Sequence, residues 1–127
     1  VAVVAKRRNV RSLGLDIETD AALEADLVPT VCTLAERAWL NCQPGTARMW
    51  LASLLFSAKE AAYKCQYPLT GQVFDFQALE ITPDLDLGVV DARFTQPVGG
   101  FAAGDMLTGR FFAEGGLVAT GFEHAAD

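Results

Sequence analysis

Apolar positions alternate with small or acidic ones near the start of the chain, which is the period of a β-strand. Residues 13, 15 and 17 are leucine or isoleucine, whereas Gly14, Asp16 and Glu18 lie between them. This pattern predicts a strand over residues 10–18. A shorter apolar run predicts another strand at residues 1–4, joined to it by a basic turn at residues 6–9.

Helical signals follow this strand. Asp20 can cap a short helix over residues 20–27, which Pro29 interrupts, and a second short helix is predicted over residues 33–40. After a Pro-Gly break, Thr46 can cap a long helix that runs to about residue 66.

The long helix carries apolar residues on two faces. At 100° per residue, six of them point in a common direction and predict a core stripe: Leu51, Leu54, Leu55, Ala58, Ala62 and Cys65. Glu60 and Lys64 lie on the opposite, polar face. A second apolar stripe borders that face and consists of Met49, Phe56 and Tyr63. A simple surface helix would not need this second stripe, so we expect another protein surface to cover it.

Three or four strands are predicted after the long helix, at about residues 77–82, 89–95, 107–113 and 117–122. The last two are joined by Glu114-Gly115-Gly116, which suits a tight hairpin. A strand, then helices, then an antiparallel meander is an α+β pattern, and 127 residues are one domain's worth of chain.

Composition narrows the function classes. The chain is 51% apolar, which argues against disorder, and its apolar runs are too short to span a membrane. Residues 65–127 carry two basic residues against nine acidic ones, a net charge of −7, which argues against nucleic-acid binding. Any anionic ligand is therefore expected to meet the first half of the chain. Three cysteines without paired spacing indicate a reduced, cytoplasmic protein.

Two carboxylates on the first strand are candidates for metal binding. Asp16 and Glu18 are two residues apart, so their side chains leave the same face, with Cα atoms roughly 6.5–7 Å apart. They repel each other unless a cation lies between them, and Mg²⁺ takes such oxygen ligands. Taken alone, the spacing favours a solvated polar face instead.

The polar face of the long helix also has two interpretations. Glu60 and Lys64 are four residues apart and could form a surface salt bridge worth about 0.3–0.5 kcal/mol. Alternatively, Glu60 could act as a metal ligand or general base, while Lys59 and Lys64 contact phosphate groups.

Together these segments resemble the 4'-phosphopantetheinyl transferase family. The resemblance rests on a strand motif and a helix motif: Gly14-Leu15-Asp16-Ile17-Glu18 and Phe56-Ser57-Ala58-Lys59-Glu60-Ala61-Ala62-Tyr63-Lys64. The segments Tyr67-Pro68-Leu69 and Phe74-Asp75-Phe76 are similar to the branch that serves siderophore synthesis, in the manner of enterobactin synthase component D. Glu36 lies where family members carry an acidic residue between the motifs.

The resemblance implies a fold, a reaction and site residues. Asp16, Glu18 and Glu60 would hold Mg²⁺ against the pyrophosphate of coenzyme A, whose charge Lys59 and Lys64 would neutralise. A serine of an acyl or peptidyl carrier protein would attack the β-phosphate and release 3',5'-ADP. Glu60 or a metal-bound water would take the proton, which makes Glu60 and Lys64 the catalytic pair. The implied fold packs an antiparallel sheet against the long helix.

The resemblance also bears on the size of the enzyme. Members of the siderophore branch have two similar halves with coenzyme A between them, and this chain matches the C-terminal half. A missing half would account for the second apolar stripe, and self-association could replace it. One alternative is the short holo-acyl-carrier-protein synthase type, which assembles as a trimer. Another is a non-catalytic binding module, which predicts no Mg²⁺-dependent binding of coenzyme A.

Overall fold

One antiparallel sheet and one long helix form the core of the protein, whose computed structural model describes residues 4–125. The strands are β1 (Val10–Thr19), β2 (Leu79–Asp84), β3 (Val89–Phe94), β4 (Met106–Glu114) and β5 (Leu117–Ala125). They are arranged in the order β1-β5-β4-β3-β2, with every neighbouring pair antiparallel. This arrangement confirms the α+β class and the antiparallel meander, which has four strands.

Along the chain, the helices come after β1 and before β2. They are α1 (Val28–Val31), α2 (Leu34–Asn41) and α3 (Arg48–Thr70), with short 3-10 helices at Ala25–Leu27 and Phe76–Ala78. Helix α3 packs on one face of the sheet, mainly against β1 and β5. All six residues of its predicted core stripe are buried. No helix in residues 4–125 is long and apolar enough to cross a membrane.

Several predicted boundaries were wrong. Residues 20–27 form a turn and a 3-10 helix instead of an α-helix, and Pro29 lies in the first turn of α1, where its missing N–H costs little. Ala47, rather than Thr46, is the N-cap of α3. That helix continues through Pro68 to Thr70 and ends at Gly71, whose φ of 65° is left-handed. The strand predicted at residues 1–4 lies mostly outside the described residues, and Val4 is not in a strand.

The second apolar stripe of α3 is covered in part by this chain itself. Phe56 packs against Phe76, with ring centroids 5.9 Å apart, and Tyr63 meets the edge of Phe74 at 5.1 Å. Met49 is 62% exposed. The segment after α3 therefore covers the part of the stripe formed by Phe56 and Tyr63 and leaves Met49 uncovered.

Strand β1 presents its polar face to the helix. Ser12, Gly14 and Asp16 are buried, whereas Ile17, on the opposite face, is 40% exposed. Gly14 permits this arrangement because it has no side chain to hold the helix away. The solvated polar face that the spacing allowed is therefore wrong for Asp16, which lies between the strand and α3.

Candidate active site

The two sequence motifs meet at the contact between β1 and α3. Asp16 Oδ1 lies 3.0 Å from Lys64 Nζ, which also donates to the carbonyl of Leu15 at 3.2 Å. The side chain of Asp16 is 7% exposed and that of Lys64 is 50% exposed. Asp16 Oδ2 is buried and has no hydrogen-bond partner within residues 4–125. The site thus holds one spare carboxylate oxygen and one half-exposed ammonium.

The three predicted metal ligands influence one another electrostatically. Burial raises the pKa of Glu18, and the nearby charges of Asp16 and Glu60 raise it further, against the opposing effect of Lys64. The pKa of Glu60 is raised first by burial and then by the charge of Asp16, again opposed by Lys64. The structure therefore brings Asp16, Glu18, Glu60 and Lys64 together, with more negative charge than the lysine neutralises.

These carboxylates fit a divalent cation that also takes oxygens from a bound ligand. In the described part of the chain, no three His, Cys, Asp or Glu side chains form a ready-made metal centre. Mg²⁺ does not need one, since it is usually held by one or two carboxylates together with water and substrate phosphates. The unpartnered Asp16 Oδ2 is the kind of oxygen that such a cation would bind.

Lys59 occupies a different place from the rest of the helix motif. It is 2% exposed, and its Nζ lies 2.7 Å from Glu36 Oε1. The same nitrogen donates to the carbonyls of Val31 at 2.7 Å and Phe76 at 2.8 Å. All three N–H bonds are thus used inside the protein, and this arrangement does not place Lys59 where a phosphate could contact it.

Glu36 completes this buried network. Its carboxylate accepts from the backbone N–H of Thr33 at 2.7 Å and of Ile81 at 2.6 Å, in addition to its ion pair with Lys59. Thr33 and Glu36 form a capping box at the start of α2. Glu36 therefore ties α2, α3 and β2 together. The three-residue spacing of Thr33 and Glu36 is typical of a capping box and could have predicted the cap. It could not have predicted that Lys59 is buried.

A pocket of about 290 Å³ opens beside Glu60. Aromatic and apolar side chains form most of its wall, and sequence reasoning did not identify it. Besides Lys59 and Glu60, its lining consists of Tyr63, Val73, Phe74, Asp75, Phe76 and Leu79. The segment that covers the second stripe of α3 thus also builds a ligand-sized recess next to the carboxylates.

Comparison with known proteins agrees with the two motifs. The family model of the 4'-phosphopantetheinyl transferase superfamily matches residues 12–95. The chain is 38% identical to 4'-phosphopantetheinyl transferase Svp of Streptomyces mobaraensis, over 98% of this chain and 52% of that protein. It is 36% identical to PptT of Mycobacterium tuberculosis, over 94% of this chain and 55% of that protein. The chain therefore spans about half the length of these relatives.

Solved structures share the fold. The holo-[acyl-carrier-protein] synthase of Thermotoga maritima superposes with a TM-score of 0.67 at 15% identity, over 90% of this chain and 62% of that one. The Bacillus anthracis str. Ames synthase, solved in complex with CoA (3',5'-ADP), gives 0.65 at 15% identity, over 94% and 99%. The family model covers both motifs and the fold agrees with it. The chain belongs to the 4'-phosphopantetheinyl transferase superfamily.

Proposed function

We propose that this chain carries the catalytic motifs of an enzyme that transfers 4'-phosphopantetheine from coenzyme A to a serine of an acyl or peptidyl carrier protein. The observation that carries the proposal is the meeting of the strand and helix motifs. It puts Lys64 3.0 Å from Asp16, whose second oxygen is buried and has no partner within residues 4–125. Family membership supplies the class of reaction.

Asp16, Glu18 and Glu60 would hold Mg²⁺ in this proposal. Bound there, the cation would neutralise pyrophosphate charge and orient the reacting phosphate. Lys64 would supply a second positive charge, because its ammonium is half exposed and its bonds to Asp16 and Leu15 leave one N–H free for a phosphate oxygen. Lys59 has no phosphate contact in this scheme and instead fixes the helix that carries Glu60.

The proposed reaction is a displacement at the β-phosphorus of coenzyme A. The serine oxygen forms a bond to that phosphorus while the bond to the bridging pyrophosphate oxygen breaks. The electron pair leaves with 3',5'-ADP. In this scheme Glu60 takes the serine proton as the general base.

The pocket beside Glu60 suits the pantetheine arm. Its wall is mostly apolar and aromatic, and Phe74 and Tyr63 form one side of it. The pantetheine arm is attached to the reacting β-phosphate. An arm that lies in this pocket would therefore place that phosphate next to Glu60.

Replacing Glu60 with alanine is expected to lower the rate of transfer about 100-fold or more, since it removes both a metal ligand and the base. The measurement is the mass gain of an apo carrier protein incubated with coenzyme A, Mg²⁺ and the enzyme. If the active enzyme is longer than this chain, as the length of its relatives suggests, the same variant is made in the longer protein.

Glu114→Ala is the matched control, because this exposed glutamate lies at the end of β4 near the β4–β5 turn. Its rate should equal that of the unchanged enzyme. An unchanged rate in Glu60→Ala would refute the assignment of Glu60. No mass gain across several carrier proteins, together with no Mg²⁺-dependent binding of coenzyme A, would favour the binding-module alternative.

Mg²⁺-dependent binding of coenzyme A is expected to weaken as the pH falls. Glu18 and Glu60 have raised pKa values, so in the folded protein they begin to bind protons above the usual glutamate range. Each proton that the cation must displace lowers its apparent affinity by up to about tenfold per pH unit below that pKa. Calorimetric titration at a series of pH values would show the slope, and Glu60→Gln should make it shallower. An equal slope in both proteins would contradict the proposal.

We further propose that the active enzyme has two halves and that this chain is the C-terminal one, working in the cytoplasm. Its coverage of about half of the relatives supports the first point, and three free thiols are consistent with a reducing compartment. The siderophore branch stays a prediction that rests on residues 67–69 and 74–76.

Self-association is the alternative arrangement, since the fold matches nearly the whole of a short synthase chain. Light scattering coupled to gel filtration would separate a stable trimer from a monomer.

A further inference from the structure

A second cavity lies at the other end of α3, away from the candidate active site. Its volume is about 640 Å³, more than twice that of the pocket beside Glu60. Ala52 lines it, and Ala52 precedes Glu60 by eight residues, or roughly 12 Å along a helix. The cavity is therefore separate from the carboxylate site.

The wall of this cavity is largely apolar. Leu23, Leu40 and Ala52 belong to the protein core and also line the cavity. Met49 forms part of the rim and is 62% exposed. Apolar walls of this volume with a few polar groups are the usual make-up of a small-molecule site.

Arg37 supplies the polar group that this cavity would need. It lines the cavity. Its Nε is enclosed by the protein, with no hydrogen-bond partner within residues 4–125, so the terminal nitrogens of the guanidinium are the donors that a ligand could reach. Two terminal nitrogens of a guanidinium are spaced to donate parallel bonds to one carboxylate, and an anionic head group would pair with them.

The other charged residues of the cavity lining favour a ligand that carries a single negative charge. Arg48 also lines the cavity, but its Nε and one terminal nitrogen already donate to the carbonyls of Gln43 and Asn41. Glu24 adds a carboxylate to the lining. A dianion such as a phosphate monoester would be repelled by Glu24, and only Arg37 has a guanidinium that is fully available to neutralise it.

We propose that this cavity binds a single-chain amphipathic carboxylate, such as a fatty acid, with the head group on Arg37 and the chain against Leu23, Leu40 and Met49. The apolar wall and the charge complementarity between a carboxylate and Arg37 carry the inference. It does not depend on the proposed transfer reaction, and its test requires no activity.

Decanoate is the probe, titrated calorimetrically below the concentration at which it forms micelles. We expect saturable binding of one decanoate per chain. Arg37→Met should weaken that binding at least tenfold, because it keeps the apolar volume and removes the donor. Met49→Glu should also abolish it, by placing a second carboxylate on the rim. Because Met49 is exposed, this second variant keeps the test valid if Arg37→Met folds poorly.

Arg93→Met is the matched control, since it removes the same charge on β3, outside the cavity, and should bind decanoate as the unchanged chain does. Decanol and decyl phosphate should both bind more weakly than decanoate. Absence of saturable binding, or equal affinity in Arg37→Met, would overturn the proposal. Tighter binding of decyl phosphate would overturn the choice of a carboxylate.

Discussion

Replacing Lys59 with methionine is expected to lower the free energy of unfolding by about 3–5 kcal/mol, the usual cost of removing one partner from a buried ion pair. Both side chains of the pair with Glu36 are 1% exposed. Methionine fills a similar volume but leaves the Glu36 carboxylate without a cation. It also leaves the carbonyls of Val31 and Phe76 without their donor. Urea unfolding measures the change.

Two further variants make this result specific. Lys64→Met removes a lysine from the same helix whose side chain is half exposed. It should cost less than Lys59→Met, because only Asp16 is buried in that pair, whereas both members of the Lys59–Glu36 pair are buried. The double variant Lys59→Met/Glu36→Gln removes both charges, so its cost should be smaller than the sum of the single costs by about 1–3 kcal/mol. Glutamine has one acceptor oxygen for the two N–H groups of Thr33 and Ile81, so some cost should remain.

The same experiment separates two roles of Lys59. If it served chiefly to contact phosphate, Lys59→Met would unfold like the unchanged protein and lose only affinity for coenzyme A. If it serves chiefly to hold α3 against α1 and the 3-10 helix at Phe76–Ala78, Lys59→Met lowers the free energy of unfolding even without coenzyme A. The three short bonds of its ammonium favour the second role.

Local pattern was enough to predict most of the elements. The period of two predicted β1, the 100° stripe predicted the buried face of α3, and the paired glycines predicted the β4–β5 hairpin. Gly115 and Gly116 both have positive φ, at 61° and 79°, as a two-residue turn of this kind requires. These features depend only on residues that are close in sequence, and for that reason they could be predicted from the sequence.

Features that depend on distant segments could not be predicted. Lys59 and Glu60 are adjacent and border the same pocket, yet the ammonium of Lys59 is held by bonds inside the protein whereas Glu60 is only half-buried. No local period distinguishes them. The partial cover of the second apolar stripe could not be predicted for the same reason, because the residues that contact Phe56 and Tyr63 lie beyond the helix in the chain. Likewise, alternation in β1 defines two faces but not which of them the helix will cover.

The close contact between β1 and α3 predicts a second large effect, at Gly14. A Cβ placed there would lie 1.9 Å from the carbonyl oxygen of Ala61 and 2.6 Å from the backbone nitrogen of Cys65. Both are backbone atoms, so no rotamer change can relieve the clash and the strand must move away from the helix. Gly14→Ala is therefore expected to cost about 3 kcal/mol or more, at the upper end of overpacking effects.

Gly121→Ala is the matched control for this prediction, because Gly121 lies on β5 beside Leu15 and its added Cβ would meet its nearest atoms at 3.9 Å. Its stability should stay within about 0.5 kcal/mol of the unchanged chain, or rise slightly as the unfolded state loses freedom. Urea unfolding of both variants tests the pair, and equal midpoints would show that the strand and helix are not in contact. Loss of a cooperative transition in Gly14→Ala alone would support the contact. Because the same contact holds Asp16 3.0 Å from Lys64, Gly14→Ala should also weaken Mg²⁺-dependent binding of coenzyme A, which Gly121→Ala should leave intact.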